Sequence, residues 1–304
     1  MGAMPDRRLL LVHAHPDDES IGSGLAMAKY AAEGAQVTLV TCTLGEHGEV
    51  LVPELEHLAA EREDDLGPHR LGELSDAMAH LGVKDFRRLG GDGTYRDSGM
   101  VWDENGNAAA MDDIDPRAFW RADLLEAATH LVAVIREVRP QVLVTYDEFG
   151  AYGHPDHIQA HRVAHYAAAL AAVPSYRRDL GEAWDIPKIY WTAESASRLR
   201  EASEQLAQAG QEMPFQFDLD HLPPMFAEDE DLSAAISSTP EHVQAKLDAM
   251  RAHATQITPD GQFFAMGMDL AAITWGTEYY RLAKGVAGPV GESGFEEDLF
   301  AGLG

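Results

Sequence analysis

Three short runs limit what this chain can become. RLLLVH at Arg8–His13, QVTLVTCT at Gln36–Thr43 and QVLVTY at Gln141–Tyr146 are apolar or β-branched at nearly every position, not at every second one. Such a strand has no face to offer water, so it belongs in a sheet covered on both sides. The segments between carry apolar residues at helical spacing. They are Ser20–Glu33 stopped by Gly34, Glu61–Leu81 stopped by Gly82, a helix from Asp115-Pro116 to Val138 ahead of Pro140, and His157–Ala172. PKIYWT at Pro187–Thr192 reads as a later strand, Arg198–Ala209 as a helix, and Thr239-Pro240 as the start of a helix reaching Gln256. This alternation predicts an α/β chain with a Rossmann-like, mostly parallel sheet, helices on both faces and right-handed crossovers. The expected division is a metal-binding catalytic domain over residues 1–185 and a smaller carboxyl-terminal lobe over 186–304, packed on it and contributing to the substrate pocket.

Charge narrows the partners. The 304 residues include 23 Lys and Arg against 51 Asp and Glu, a net charge of −28. Polyanions are repelled by such a surface, which speaks against nucleic acid and against anionic membranes. No apolar run approaches the roughly 20 residues of a membrane span, and the opening MGAMPDRR lacks the apolar core of a signal peptide. One cysteine, Cys42, excludes an internal disulfide and fits a reducing compartment, so a cytoplasmic location is expected. FAEDEDL at Phe226–Leu232 reads as a solvated acidic loop, and the ending GESGFEEDLFAGLG as a mostly exposed tail with a few docked apolar residues. Oligomeric state is not written in the sequence.

The chemistry gathers where two of the buried strands end. VHAHPDDESIG, Val12–Gly22, follows the first, and DEFGAYGHPDHI, Asp147–Ile158, follows the third. His15-Pro16-Asp17-Asp18 is echoed by His154-Pro155-Asp156-His157. Proline drives each preceding histidine away from helical dihedrals, so both polar clusters fall at strand-to-helix turns. In open α/β sheets ligands sit at these carboxyl ends. Ionisable groups emerging from a buried strand are costly to desolvate unless something binds them. His15, Asp18 and His157 suit one Zn²⁺: two nitrogens, one carboxylate oxygen and an open fourth position describe a catalytic site. The donor set leaves Zn²⁺ and Fe²⁺ both open. His13 shares a strand face with His15 but reads better as a hydrogen-bonded core histidine. The Gly- and Asp-rich segment Gly90–Asn107 reads as a site-forming loop.

AHPDDE and GHPDH together resemble the LmbE-like family of zinc-dependent de-N-acetylases. TCTLGEHGEV, HRLGEL, YRDSGM, AYGHPDH and EEDLFAGL extend the likeness along most of the chain towards one branch, the deacetylases of mycothiol biosynthesis. The sister branch, the mycothiol S-conjugate amidases, shares the metal motifs but tends to carry lysine where this chain has Gly22. The resemblance implies zinc-dependent hydrolysis of the acetamide of N-acetylglucosaminyl-inositol, with conjugate amidase activity or deacetylation of another GlcNAc derivative as the alternative. The partner implied is thus a small N-acetylated amino-sugar glycoside. By the same resemblance Asp17 is the general base. Tyr152 and His154 are oxyanion stabilisers, His154 also an acid for the leaving amine, and Asp156 either holds His154 in one tautomer or is a turn carboxylate. Arg70 and Asp97, then Glu49 and Met100, are implied for substrate binding. Glu148, Phe149 and Ala151 depart from the Pro, Asn and extra Gly that the mycobacterial form has in that loop.

Overall fold

The computed structural model describes residues 6–103, 108–208, 210, 217–264 and 275–303. Residues 1–5 of the opening segment, 104–107 of the predicted site loop and Ala209 at the end of a predicted helix lie outside them. The strands are β1 (Arg8–His13), β2 (Gln36–Thr41), β3 (Asp85–Arg88), β4 (Val101–Trp102), β5 (Ala108–Ala109), β6 (Val142–Thr145), β7 (Lys188–Ser195), β8 (Phe226–Ala227), β9 (Ala234–Ser237) and β10 (Thr277–Lys284). The helices are α1 (Asp18–Ala32), α2 (Leu66–Leu81), α3 (Leu124–Val138), a single turn α4 (Gly150–Gly153), α5 (Pro155–Ala171), α6 (Ala196–Gln208) and α7 (Pro240–Ala252).

The main sheet runs β3-β2-β1-β6-β7-β10-β9, with β8 beside β7. β3, β2, β1, β6 and β7 are mutually parallel, while β10 lies antiparallel to both β7 and β9. The chain leaves β1 towards β2 and β3 and returns on its other side as β6. The switch point is therefore between β1 and β6, where both polar clusters emerge. Alternate residues of the buried strands serve opposite layers. Leu10, Val12 and Leu143 pack with Ala127, Leu131 and Ile135 of α3 and Val163 and Ala167 of α5. Leu9, Leu11, Val142 and Val144 pack with Met27 and Tyr30 of α1, Leu74 and Met78 of α2, and Ala249 of α7. Helices thus cover both faces of a mostly parallel sheet.

Several expected boundaries shift for local reasons. α2 begins at Leu66, not Glu61, because Pro68 has no N–H to give and fits a helix only in its first turn. Asp115-Pro116 opens a turn, not a helix: Ala118 N–H bonds to Asp115 O at 2.9 Å, and Phe119 N–H pairs with Arg96 O at 2.8 Å. That pairing draws the buried Phe119 against Tyr95. α3 then starts at Leu124, with the Asp123 carboxylate accepting Glu126 N–H at 2.9 Å as its cap. Within FAEDEDL, Phe226–Ala227 joins β7 while Asp229–Asp231 forms an exposed 3-10 turn. The segment after residue 185 supplies β7, β9 and β10 to the same sheet as β1 and β6.

The acidic tail docks further than its composition suggests. Glu296, Leu299 and Phe300 are all buried. Lys188 Nζ lies 2.7 Å from Glu296 Oε1, Tyr190 Oη donates to Glu296 Oε2 at 2.6 Å, and Gly288 N–H also bonds to this carboxylate. Removing one member of a buried pair leaves the other charge uncompensated. Lys188→Met is expected to lower unfolding free energy by about 3–5 kcal/mol, read from denaturant titration, whereas an exposed pair such as Arg198–Glu201 should matter by under about 1 kcal/mol when broken.

Candidate metal centre

Tyr146, just past β6, ties the two strand ends together. Its hydroxyl accepts the Ala14 N–H at 2.9 Å and is bonded to Asp18. Its ring stacks on His157 with centroids 4.2 Å apart. α5 starts at Pro155 with His154 as its cap, the imidazole Nδ1 accepting Asp156 N–H at 3.1 Å. This cap places His157 in the first turn, facing the end of β1.

Asp18 stands between the two motifs. Its Oδ2 accepts the His15 N–H at 2.9 Å and lies 3.3 Å from His15 Nδ1, while Oδ1 lies 3.3 Å from His157 Nε2. His15 Nε2 faces the other way, 3.3 Å from Asp156 Oδ2 and 3.5 Å from Asp97 Oδ1. An outer carboxylate on one ring nitrogen is the usual support of an imidazole that ligates through the other. His157 is 2% exposed, and neither of its ring nitrogens makes a hydrogen bond. A buried imidazole left so costs free energy, which a cation bound at Nε2 relieves. Donor types, burial and orphaned nitrogen therefore fit a metal ion at His15, Asp18 and His157. Among the described residues, the sets whose donor atoms all lie within 4.8 Å of one another are two different ones, His15, His154 and His157, and His15, Asp97 and Asp156, whereas Asp18 meets His15 and His157 pairwise, through a different oxygen at 3.3 Å in each case. In the second set Asp97 accepts His47 N–H at 3.1 Å and Gly99 N–H at 2.8 Å, and Asp156 accepts Ser98 N–H at 2.9 Å and the Ser98 hydroxyl, which suits both acids to supporting His15 from its Nε2 side. His154 has given Nδ1 to its own helix.

Asp17 sits at the lip, its side chain 17% exposed, with Arg70 Nη2 3.0 Å from Oδ2. Burial pushes its carboxyl up to about 6, against the opposing pull of Arg70. Asp18 is the reverse: burial opposes ionisation, but His157 and His15 hold it well below the usual carboxylate range. The Asp17 backbone has φ 121° and ψ −36°. Non-glycine residues rarely visit this region, at a cost on the order of 1–3 kcal/mol, and such strain gathers at functional sites.

The expected residues divide into three groups. His15, Asp17, Asp18, His154, Asp156, His157 and Asp97 converge, and Tyr152 stands over them with its ring 5.2 Å from His157 and 6.2 Å from His154. Arg70 approaches from beneath. It is 2% exposed and bonded to Gly45 O, Pro16 O and Asp17, so it holds the motif instead of facing an open sugar pocket. Glu49 is exposed and Met100 half-buried, and the Glu49 carbonyl accepts Gln256 Nε2 at 3.1 Å. Two expectations need correcting. The Asp156 carboxylate supports His15, not His154, because in the first turn of α5 it points at the loop holding Ser98. Burial and the neighbouring His15 and His157 push His154 down to about 2, which favours the neutral ring over the imidazolium. His13 bonds to Ser23 Oγ at 3.3 Å within the core. Tyr146, Glu46, Ser98 and His253 also brace the site. Glu46 Oε2 accepts Asp97 N–H at 3.0 Å and so braces two site loops, but no local motif marks it.

A mostly parallel α/β sheet with a His-Asp-His set at its switch point, and an Arg70-held carboxylate beside it, fits a metal-dependent hydrolase. Residues 10–168 match the family described as PIG-L, GlcNAc-PI de-N-acetylase. The chain is 68% identical over 300 residues to the 1D-myo-inositol 2-acetamido-2-deoxy-alpha-D-glucopyranoside deacetylase of a Nocardioides species, covering 98% of this chain and 99% of the relative. The enzyme of that name from Kribbella flavida is 61% identical, with 100% of each chain covered. Among solved structures, the N,N'-diacetylchitobiose deacetylase from Pyrococcus horikoshii superposes with a TM-score of 0.60 at 18% identity, over 91% of this chain and 83% of that one. The zinc-inhibited form of teicoplanin deacetylase gives 0.55 at 19%, over 90% and 97%. The chain belongs to the PIG-L, or LmbE-like, family and is a hydrolytic deacetylase.

Gly150 is the tightest point of the loop under His157. Its φ is +64°, and a Cβ there would lie 2.7 Å from Ile158 N and 2.9 Å from His157 Cβ. Gly150→Ala should displace His157 and weaken metal binding by about 10- to 100-fold, measured by competition with a chromophoric chelator. Unchanged affinity would mean that His157 is not a ligand.

Proposed function

We propose that this protein is a Zn²⁺-dependent N-deacetylase that hydrolyses the acetamide of N-acetylglucosaminyl-inositol, releasing acetate and glucosaminyl-inositol in mycothiol biosynthesis. One observation carries the reading: the His15, Asp18 and His157 donors meet in a chain that aligns end to end with deacetylases named for that substrate. A metal held there supplies Lewis acidity, polarising the amide carbonyl and acidifying water.

The remaining chemistry falls to the chain's own groups. One oxygen of the Asp17 carboxylate takes the proton of the attacking water, and Arg70, 3.0 Å from Oδ2, fixes the direction of that carboxylate. With Nδ1 engaged by the Asp156 amide, neutral His154 carries its proton on Nε2 and donates to the developing oxyanion. Tyr152, whose hydroxyl burial keeps protonated, offers a second donor. The leaving amine then recovers its proton from Asp17. Asp156 and Asp97 support His15 from behind. The single buried thiol, Cys42, and the acidic surface support a cytoplasmic setting, and no described helix is long and apolar enough to cross a membrane.

Quantifying free amine from N-acetylglucosaminyl-inositol, from a mycothiol S-conjugate and from a simple GlcNAc glycoside tests the substrate. The expected order puts the first well ahead, and faster cleavage of the conjugate overturns it in favour of amidase activity. Asp17→Asn should retain metal while kcat falls by about 10²- to 10⁴-fold; wild-type turnover would remove Asp17 as the base. Removing metal with a chelator should abolish activity, and Zn²⁺ should restore it.

A further inference from the structure

His253 follows α7, is fully buried, and lies 234 residues from the group it touches: its Nε2 is 2.8 Å from Glu19 Oε1. Glu19 is fully buried as well. Ser20 Oγ donates to Oε1 at 2.6 Å, and the backbone N–H of Asp17 donates to Oε2 at 2.9 Å. This carboxylate therefore grips the amide of the residue whose φ is 121°. Relaxing Asp17 to a negative φ would turn that N–H away from Oε2. The grip is completed elsewhere by Ser20 and Ile21 N–H on Asp17 O, both at 3.0 Å, and by Arg70 on the side chain at 3.0 Å. Behind His253 the chain is itself anchored, Thr255 N–H and Oγ1 each donating to Glu73 of α2 at 2.8 Å.

We propose that Glu19 and His253 are positioning residues: together they hold the strained Asp17 backbone and so aim its carboxylate into the site. The proposal rests on the reading of Asp17 as the base. It makes the segment after α7 a determinant of turnover, although that segment carries no reacting group. A buried ion pair serving stability alone would equally protect the fold, so the test must separate the two.

Glu19→Leu with His253→Leu removes both charges together and leaves neither buried alone. With metal content equal to the parent's, kcat should fall on the order of 10- to 100-fold with KM changed by less than about twofold. His253→Gln, which keeps a donor for Glu19, should recover most of the turnover lost in His253→Leu. That pair of single variants gives the same comparison if the double variant does not fold. In an Asp17→Asn background the two leucines should cost less than about twofold more, since residues acting through one group are not additive. A crystal structure of the folded variant should show Asp17 φ relaxed. Wild-type kcat in the leucine variant, a loss that multiplies with Asp17→Asn, or an unchanged φ overturns the proposal. If Asp17→Asn itself stays active, the base reading fails, while the φ measurement still decides whether the clamp exists.

Discussion

The Asp18 carboxylate joins two segments that the chain keeps more than a hundred residues apart. One oxygen faces His15, at the end of β1, and the other faces His157, in the first turn of α5 after β6. Nothing else explains why a buried strand pair should end in so dense a set of ionisable groups. His157 is a buried imidazole whose nitrogens make no hydrogen bond, with Asp18 Oδ1 facing Nε2 at 3.3 Å, and Asp18 is a half-buried carboxylate held between two rings. The strand order makes the meeting obligatory, because β1 and β6 are neighbours across the switch point.

Around that junction the support is layered. Tyr146 fixes the separation of the strand ends, Asp156 and Asp97 orient His15 from outside, and Ser98 and Glu46 hold those two acids in place. Asp17 is set apart from this set by its backbone, with φ at 121°, and by its Arg70 partner. Its carboxyl is raised by burial, whereas the adjacent Asp18 is lowered by histidines. Two neighbouring carboxylates thereby acquire different work from environment alone, one suited to moving a proton and the other to holding a charge.

Much of this was readable from residues. β1, β2 and β6 follow from continuous apolar runs, α5 from its apolar spacing although it starts at Pro155 and not at His157, and both polar motifs from the strands they follow. What the sequence did not reveal depended on distant partners. β9 is a four-residue strand too short to carry a period, and β10 is half-polar; they join the sheet only by antiparallel pairing, β10 with β7 and β9 with β10. Arg70 looked like a surface or sugar-binding residue, because nothing local says that it lies under Pro16 and Asp17. Asp156 reads locally either as a support for His154 or as a turn carboxylate, whereas the helix turns it to Ser98 and His15. His253 gave no motif at all, and its partner is in the first motif of the chain.

The central claim is the identity of the ligands, and anomalous diffraction at the zinc edge on metal-loaded crystals tests it most directly. One site is expected, bounded by His15 Nδ1, an oxygen of Asp18 and His157 Nε2, with His154 outside the ligand sphere. A peak ligated by His154 in place of Asp18, or lying between Asp97 and Asp156, would contradict it.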